Sequence, residues 1–274
     1  MSVRFAVNRS CLPHRPVSEF VTLAKEVGAQ AVEFRNDLQR TDLYVTTTDD
    51  IRARLRKEGL EVAALVGLER FNDWNHERER EARQLAADAQ ALNARGIVLC
   101  PSEEGAGEWT DRELDRMLRH ALVNLAPILN DHGLIGFIEP SGHPNSTLSR
   151  HLEAVEAVEE VADWKNFALC LDTFEFERGA NDLVLPKRIG LVHVTGEEAL
   201  PLFDPDTVQK DATAVSLTNR ADDKGLLNQL FEGGFSGDVS LELFNRRPEV
   251  VRATAEKLRH GVARLMRPAR RSPA

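Results

Sequence analysis

The sequence predicts an α/β protein folded as a single (β/α)8 TIM barrel. Its 274 residues are too few for two ordinary α/β domains and close to the roughly 250 of one barrel. Short apolar runs alternate with helical stretches, and the strand–helix unit recurs eight times. Several of the apolar runs stop at a side chain that can bind a metal, as expected at the carboxyl ends of barrel strands, where such folds carry their chemistry. The barrel is expected to occupy residues 1–266. The polar, basic stretch Arg267–Ala274 is expected to fray.

The elements follow in order. Val3–Val7 alternates like a strand, and Pro16–Val27 has helical spacing that stops at Gly28, a natural helix terminator. Ala31–Phe34 is the second strand. Asp49 and Asp50 are expected to cap a helix through Lys57, ended by Gly59. Val62–Val66 is the third strand, followed by an amphipathic helix from His76 to Ala94 and a fourth strand, Gly96–Cys100. Asp111–Asp131 is helical with Pro127 inside it, so a kink or break is expected there. Leu134–Ile138 is apolar throughout, as a strand buried on both faces requires, and runs straight into Glu139. A helix from about Thr147 to Val161 leads to the sixth strand, Phe167–Leu171. Asn181–Arg188 has room only for a short helix before the seventh, which begins at Ile189. Gly196–Asp223 shows little periodicity and is long for a loop, which marks a lid or binding loop. A short helix over Lys224–Phe231, strand Asp238–Phe244 and helix Pro248–Met266 close the chain.

Composition narrows the function. A net charge of −9 denies the basic footprint that nucleic-acid binding needs. No apolar run approaches the roughly 20 residues of a membrane span, and no leader precedes the first strand, so a cytoplasmic protein without membrane partners is expected. The three cysteines, Cys11, Cys100 and Cys170, are odd in number and lack metal-site spacing, so they are read as reduced and buried. No glycine-rich phosphate loop follows the first strand, which removes nucleotide-binding α/β folds. Nothing in the sequence specifies an oligomeric state.

Four consecutive strands end in Glu139, Asp172, His193 and Glu242. Singly, each has a blander use: a carboxylate after a strand commonly caps a helix, and an interior histidine commonly satisfies a hydrogen bond. Together they bring three hard oxygen donors and one nitrogen to one arc of the rim. That set suits Mn²⁺, Co²⁺ or Mg²⁺, and Zn²⁺ accepts the same ligands.

The stretches Glu33–Leu38, Leu68–Trp74, His132–Pro140, Leu171–Phe174, Leu191–Gly196 and Ser240–Phe244, in this order and spacing, carry a resemblance. The chain resembles the xylose-isomerase-like TIM-barrel family of sugar isomerases and epimerases, closest to its inosose (2-keto-myo-inositol) isomerase-like branch. The resemblance implies that Glu139, Asp172, His193 and Glu242 hold one divalent ion, with Mn²⁺ first in order. It also implies a keto-polyol or ketose substrate and a place in myo-inositol catabolism. The implied reaction is proton transfer through a metal-stabilised enediolate, with Glu139 and Glu242 as the acid/base pair and their individual roles open.

Two departures stand out. Where much of the family has histidine three and five residues after the metal-binding aspartate, this chain has Glu175 and Glu177. A carboxylate near the site disfavours anionic substrates. Arg220 is the candidate for the family's substrate-contacting arginine. Arg35 and Asn36 are candidates for hydrogen bonds to ring hydroxyls, Phe71, Asn72 and Trp74 for an apolar wall and rim, and His143 for a substrate or supporting role. Competing readings are a dehydratase of an inosose or dehydroshikimate-like ketone, and a barrel that only binds a sugar. A DNA-repair endonuclease would need a basic groove that this acidic chain does not provide.

Overall fold

Eight parallel strands close on themselves in chain order, each paired with its sequence neighbours and β1 with β8. The structure, a computed structural model, describes residues 3–36, 46–179, 183–195, 226–244 and 246–265. The strands are β1 (Arg4–Asn8), β2 (Ala31–Arg35), β3 (Glu61–Leu68), β4 (Gly96–Leu99), β5 (Ile135–Ile138), β6 (Phe167–Asp172), β7 (Ile189–Val194) and β8 (Asp238–Leu241). The described helices are α1 (Val17–Glu26), α2 (Thr48–Glu58), α3 (His76–Ala91), α4 (Asp111–His132), α5 (His151–Val161), α6 (Thr173–Arg178), α7 (Leu226–Glu232) and α8 (Pro248–Leu265). The (β/α)8 barrel expected from the sequence is the observed fold. Arg220, the stretch Gly196–Asp223, the side chain of Glu177 and the tail Arg267–Ala274 lie outside the described residues.

The two-residue alternation of each strand divides the core. Outward residues such as Phe34, Leu65, Ile97, Leu169 and Val192 pack against the helices in one continuous layer. Inward residues Ala64, Val66, Val98, Phe137, Cys170 and Leu191 fill the barrel, so the interior is a plug rather than a pore. Below the plug, the buried Asp238 accepts from Arg4 (Nε to Oδ1 2.6 Å, Nη2 to Oδ2 2.9 Å) and pairs with Arg95. Removing that carboxylate leaves two guanidinium groups crowded at the barrel floor. Asp238→Ala is expected to cost about 2 kcal/mol, the scale of a charged hydrogen bond lost at a partly exposed partner. Urea unfolding measures it.

Four local expectations are corrected. The cap of α2 is Thr47, whose hydroxyl accepts from Asp50 N at 3.2 Å, while Asp49 and Asp50 lie in the first turn, where acidic side chains favour the helix dipole. Of the kink or break expected at Pro127, the break is absent: α4 runs through this proline. Its missing N–H orphans only the Val123 carbonyl, and Val123 is 51% exposed, so water can satisfy it. Helix α5 begins at His151 rather than near Thr147, because the residues before it are spent on loop contacts. Ser146 turns back to Leu148, and Thr147 meets Ser102 and Asn72. The short helix of this region is α6, which starts directly after β6. Asp172 caps it, accepting from Phe174 N and Glu175 N at 2.8 Å each. The helix-capping reading of that carboxylate and its place in the site therefore hold together.

Candidate metal centre and substrate cavity

Glu139 follows β5, Asp172 ends β6, His193 lies in β7, and Glu242 follows β8. The register pairs Asp172 with His193 across adjacent strands, which sets these side chains at one level. One donor atom from each of the four lies within 4.8 Å of the others. His193 is the hub. Its Nδ1 sits 2.6 Å from Glu139 Oε1 and 2.9 Å from Glu242 Oε2, and its Nε2 sits 3.1 Å from Glu33 Oε2.

Burial opposes a charged His193, but the surrounding Cys170, Glu242, Glu33 and Glu139 outweigh it and hold its pKa well above the ordinary value. Burial likewise opposes ionisation of Glu242, yet His193 and Arg35 prevail and pull it down to about 2. Asp172 goes the other way: burial, then the Glu139 and Glu242 carboxylates, raise it to about 8. Such a cluster of buried carboxylates retains protons unless a cation replaces them. Three oxygens, one imidazole nitrogen and surplus negative charge fit a divalent ion.

Glu139, Asp172 and Glu242 of the cluster line a cavity of about 410 Å³, with His193 buried beside them; among the described residues the cavity is lined also by Arg35, Arg70, Glu69, Glu103, Glu175 and Phe244. Arg35 pairs with Glu242, so its charge faces the cluster as well as the cavity. Glu175 borders the cavity, 2.9 Å from the Ser141 hydroxyl and 3.3 Å from Arg178. Burial raises its pKa against the opposing effects of Ser141 and Arg178. Ser141 also meets Glu103 at 2.6 Å. Gly142 holds this loop to α6, since a β-carbon there would lie 2.2 Å from Glu175 O.

The other candidates fall away from the cavity. Asn36 Oδ1 accepts from Gly67 N at 2.7 Å, which fixes the end of β3. Phe71 is fully buried in the outer core, and Trp74 packs against that core, so neither forms a wall of this cavity. Asn72 is buried and ties loops together, donating to Thr147 Oγ1 at 2.8 Å and accepting from Ser102 N at 3.1 Å. His143 Nδ1 accepts from Asn145 N at 3.2 Å, a local loop contact.

Sequence reasoning missed Glu33, Thr195 and the two cysteines. Glu33 is fully buried in the middle of a strand covered on both faces. A carboxylate in that position needs a partner, and that was the available signal. Thr195 Oγ1 lies 2.8 and 2.9 Å from the two Asp172 oxygens. All three cysteines are free, as expected, but Cys100 is only half-buried. Cys100 and Cys170 also abut the cluster, at 3.6 and 3.4 Å from Glu139 oxygens. By accepting from Nε2–H, Glu33 leaves Nδ1 free for a metal, and loss of such an outer partner costs about 10–100-fold in affinity. Glu33→Gln should weaken divalent-metal binding on that scale, as read by calorimetry, with the fold retained.

Among the described residues no helix is long and apolar enough to cross a membrane. An inosose isomerase of Halalkalibacterium halodurans is 30% identical over 225 residues, covering 77% of this chain and 76% of that protein. The Bacillus subtilis inosose isomerase is 33% identical over 153 residues, 53% of this chain and 52% of that one. The crystal structure of an IOLI protein with a bound zinc atom has a TM-score of 0.73 at 25% identity, covering 96% of each chain. Residues 21–267 match the model of the family described as xylose isomerase-like TIM barrel, and with the closed barrel and its strand-end cluster this shows that the chain belongs to that family.

Proposed function

We propose that the protein is a divalent-metal-dependent isomerase of a keto-polyol, with inosose as its substrate and Mn²⁺ as its ion. The isomerase or epimerase class is supported by the inosose isomerase relatives. The observation that carries the reading is the convergence of Glu139, Asp172, His193 and Glu242, three of which line the cavity while His193 is buried beside them. A bound ion there would polarise the ketone carbonyl, an effect worth several kcal/mol.

The chain's own residues supply the rest. Glu139 and Glu242 each approach His193 through one oxygen. The second oxygen of Glu242 is committed to Arg35, whereas that of Glu139, among the described residues, meets the weakly donating Cys100 thiol at 3.6 Å. Glu139 is therefore assigned removal of the carbon-bound proton. Glu242, oriented by Arg35, completes the acid/base pair. Glu175 and Glu103 at the cavity wall favour an uncharged ketone over a phosphorylated one.

The test is nuclear magnetic resonance of inosose in D₂O with Mn²⁺-loaded protein. Deuterium should enter the carbon next to the carbonyl as the product ketone forms, with no ultraviolet-absorbing enone. Growth of a conjugated enone would replace isomerisation with dehydration. Binding without exchange would leave a barrel that only holds the sugar.

A further inference from the structure

We propose that Glu139, Cys170 and His193 form a second, deeper position that captures a thiophilic divalent cation such as Cd²⁺ or Zn²⁺. It rests on the metal reading above, with which it shares two side chains. Cys170 stands two residues before Asp172 on β6, so both point into the barrel with the thiol one level lower. It is fully buried at the top of the apolar plug, among Val66, Val98, Phe137 and Leu191.

The distances favour a built position over a filler cysteine. A tetrahedral ion with sulfur at about 2.3 Å and nitrogen or oxygen at about 2.0–2.1 Å holds its sulfur roughly 3.5 Å from each neighbouring donor. Cys170 Sγ already lies 3.4 Å from Glu139 Oε1 and 3.6 Å from His193 Nδ1. The remaining pair, Oε1 and Nδ1, stands at hydrogen-bond distance, 2.6 Å, and must open by under 1 Å when an ion replaces the proton between them. One candidate atom from each of these three residues lies within 4.8 Å of the others.

Ion choice then follows ligand softness. A hard ion such as Mn²⁺ takes the oxygen-rich set that includes Asp172 and Glu242, beside the cavity. A soft ion gains a sulfur bond by moving toward Cys170. On binding, the thiol proton and the proton shared by Glu139 Oε1 and His193 Nδ1 both leave to solvent, metal–sulfur, metal–oxygen and metal–nitrogen bonds form, and no electron is transferred. Drawn toward the buried Cys170, the soft ion sits away from the cavity where a ketone carbonyl would be polarised, so its occupancy is inhibitory.

The experiment loads chelator-treated protein with one equivalent of ¹¹³Cd²⁺ and records its resonance and the ultraviolet thiolate-to-cadmium band. Mn²⁺ binding is titrated on the same samples. Wild type and Cys100→Ser should show a cadmium–thiolate signature. Cys170→Ser should lose it, with Cd²⁺ affinity reduced at least about 10–100-fold and Mn²⁺ stoichiometry unchanged. The wild-type resonance alone reports thiolate ligation should the variant fail to fold. Bound Cd²⁺ without a thiolate signature, or a signature lost only in Cys100→Ser, overturns the second position while Mn²⁺ binding preserves the main centre. Failure of both ions to bind overturns the metal reading itself.

Discussion

Replacing His193 by alanine is expected to remove tight divalent-metal binding and, with it, isomerase activity. His193 supplies the single nitrogen donor, and its Nδ1 holds both Glu139 Oε1 and Glu242 Oε2, at 2.6 and 2.9 Å. Without the ring, the centre becomes a set of buried carboxylates with no group to set their spacing, and outer-partner losses alone cost about 10–100-fold in affinity. A loss of about 1,000-fold is the expected scale, measured by calorimetry on chelator-treated protein. His193→Gln keeps the bulk and a polar end, so a folded variant that still loses the ion separates ligand loss from collapse. In wild type, acid should weaken the same equilibrium. Asp172 is raised to about 8 without metal, so below that pH its proton must be expelled before an ion enters. The raised His193 must also give up its proton to ligate, so apparent affinity should rise with pH through neutrality and not level off below about 8.

Glu139→Gln should lower deuterium uptake into the substrate by about 10²–10⁴-fold, the usual contribution of a positioned proton acceptor. The amide oxygen can still ligate, so metal content must be matched to wild type before rates are compared. Glu242→Gln should also slow turnover, and it loses part of the Arg35 pairing, so its KM should change as well. A metal-loaded Glu139→Gln with full exchange would remove Glu139 from proton transfer and pass the assignment to Glu242.

The barrel was legible because the strands buried on two faces are mostly apolar runs, and amphipathic helical stretches alternate with them. Strand ends were legible for the same reason: Glu139, Asp172, His193 and Glu242 interrupt apolar runs where the backbone leaves the sheet. Helix boundaries were less so. Thr47 outcompeted Asp49 as a cap because capping depends on backbone angles at one residue, which composition does not display. Phe71, Asn72 and Trp74 follow a strand in sequence just as site residues do, but their loop folds back onto the outer core. Glu33 and Cys170 were hidden because each lies inside a strand rather than at its end. Inward direction becomes visible only once the pleat is placed, and then Glu33 shares a face with Arg35, and Cys170 with Asp172.

The most direct test titrates chelator-treated protein with Mn²⁺ while following deuterium entry into inosose. No exchange is expected without metal, and a linear rise should break at about one ion per chain, because among the described residues one set of four ligands converges on one point. Full exchange in metal-free protein, or Mn²⁺ saturation without any exchange, would contradict that expectation.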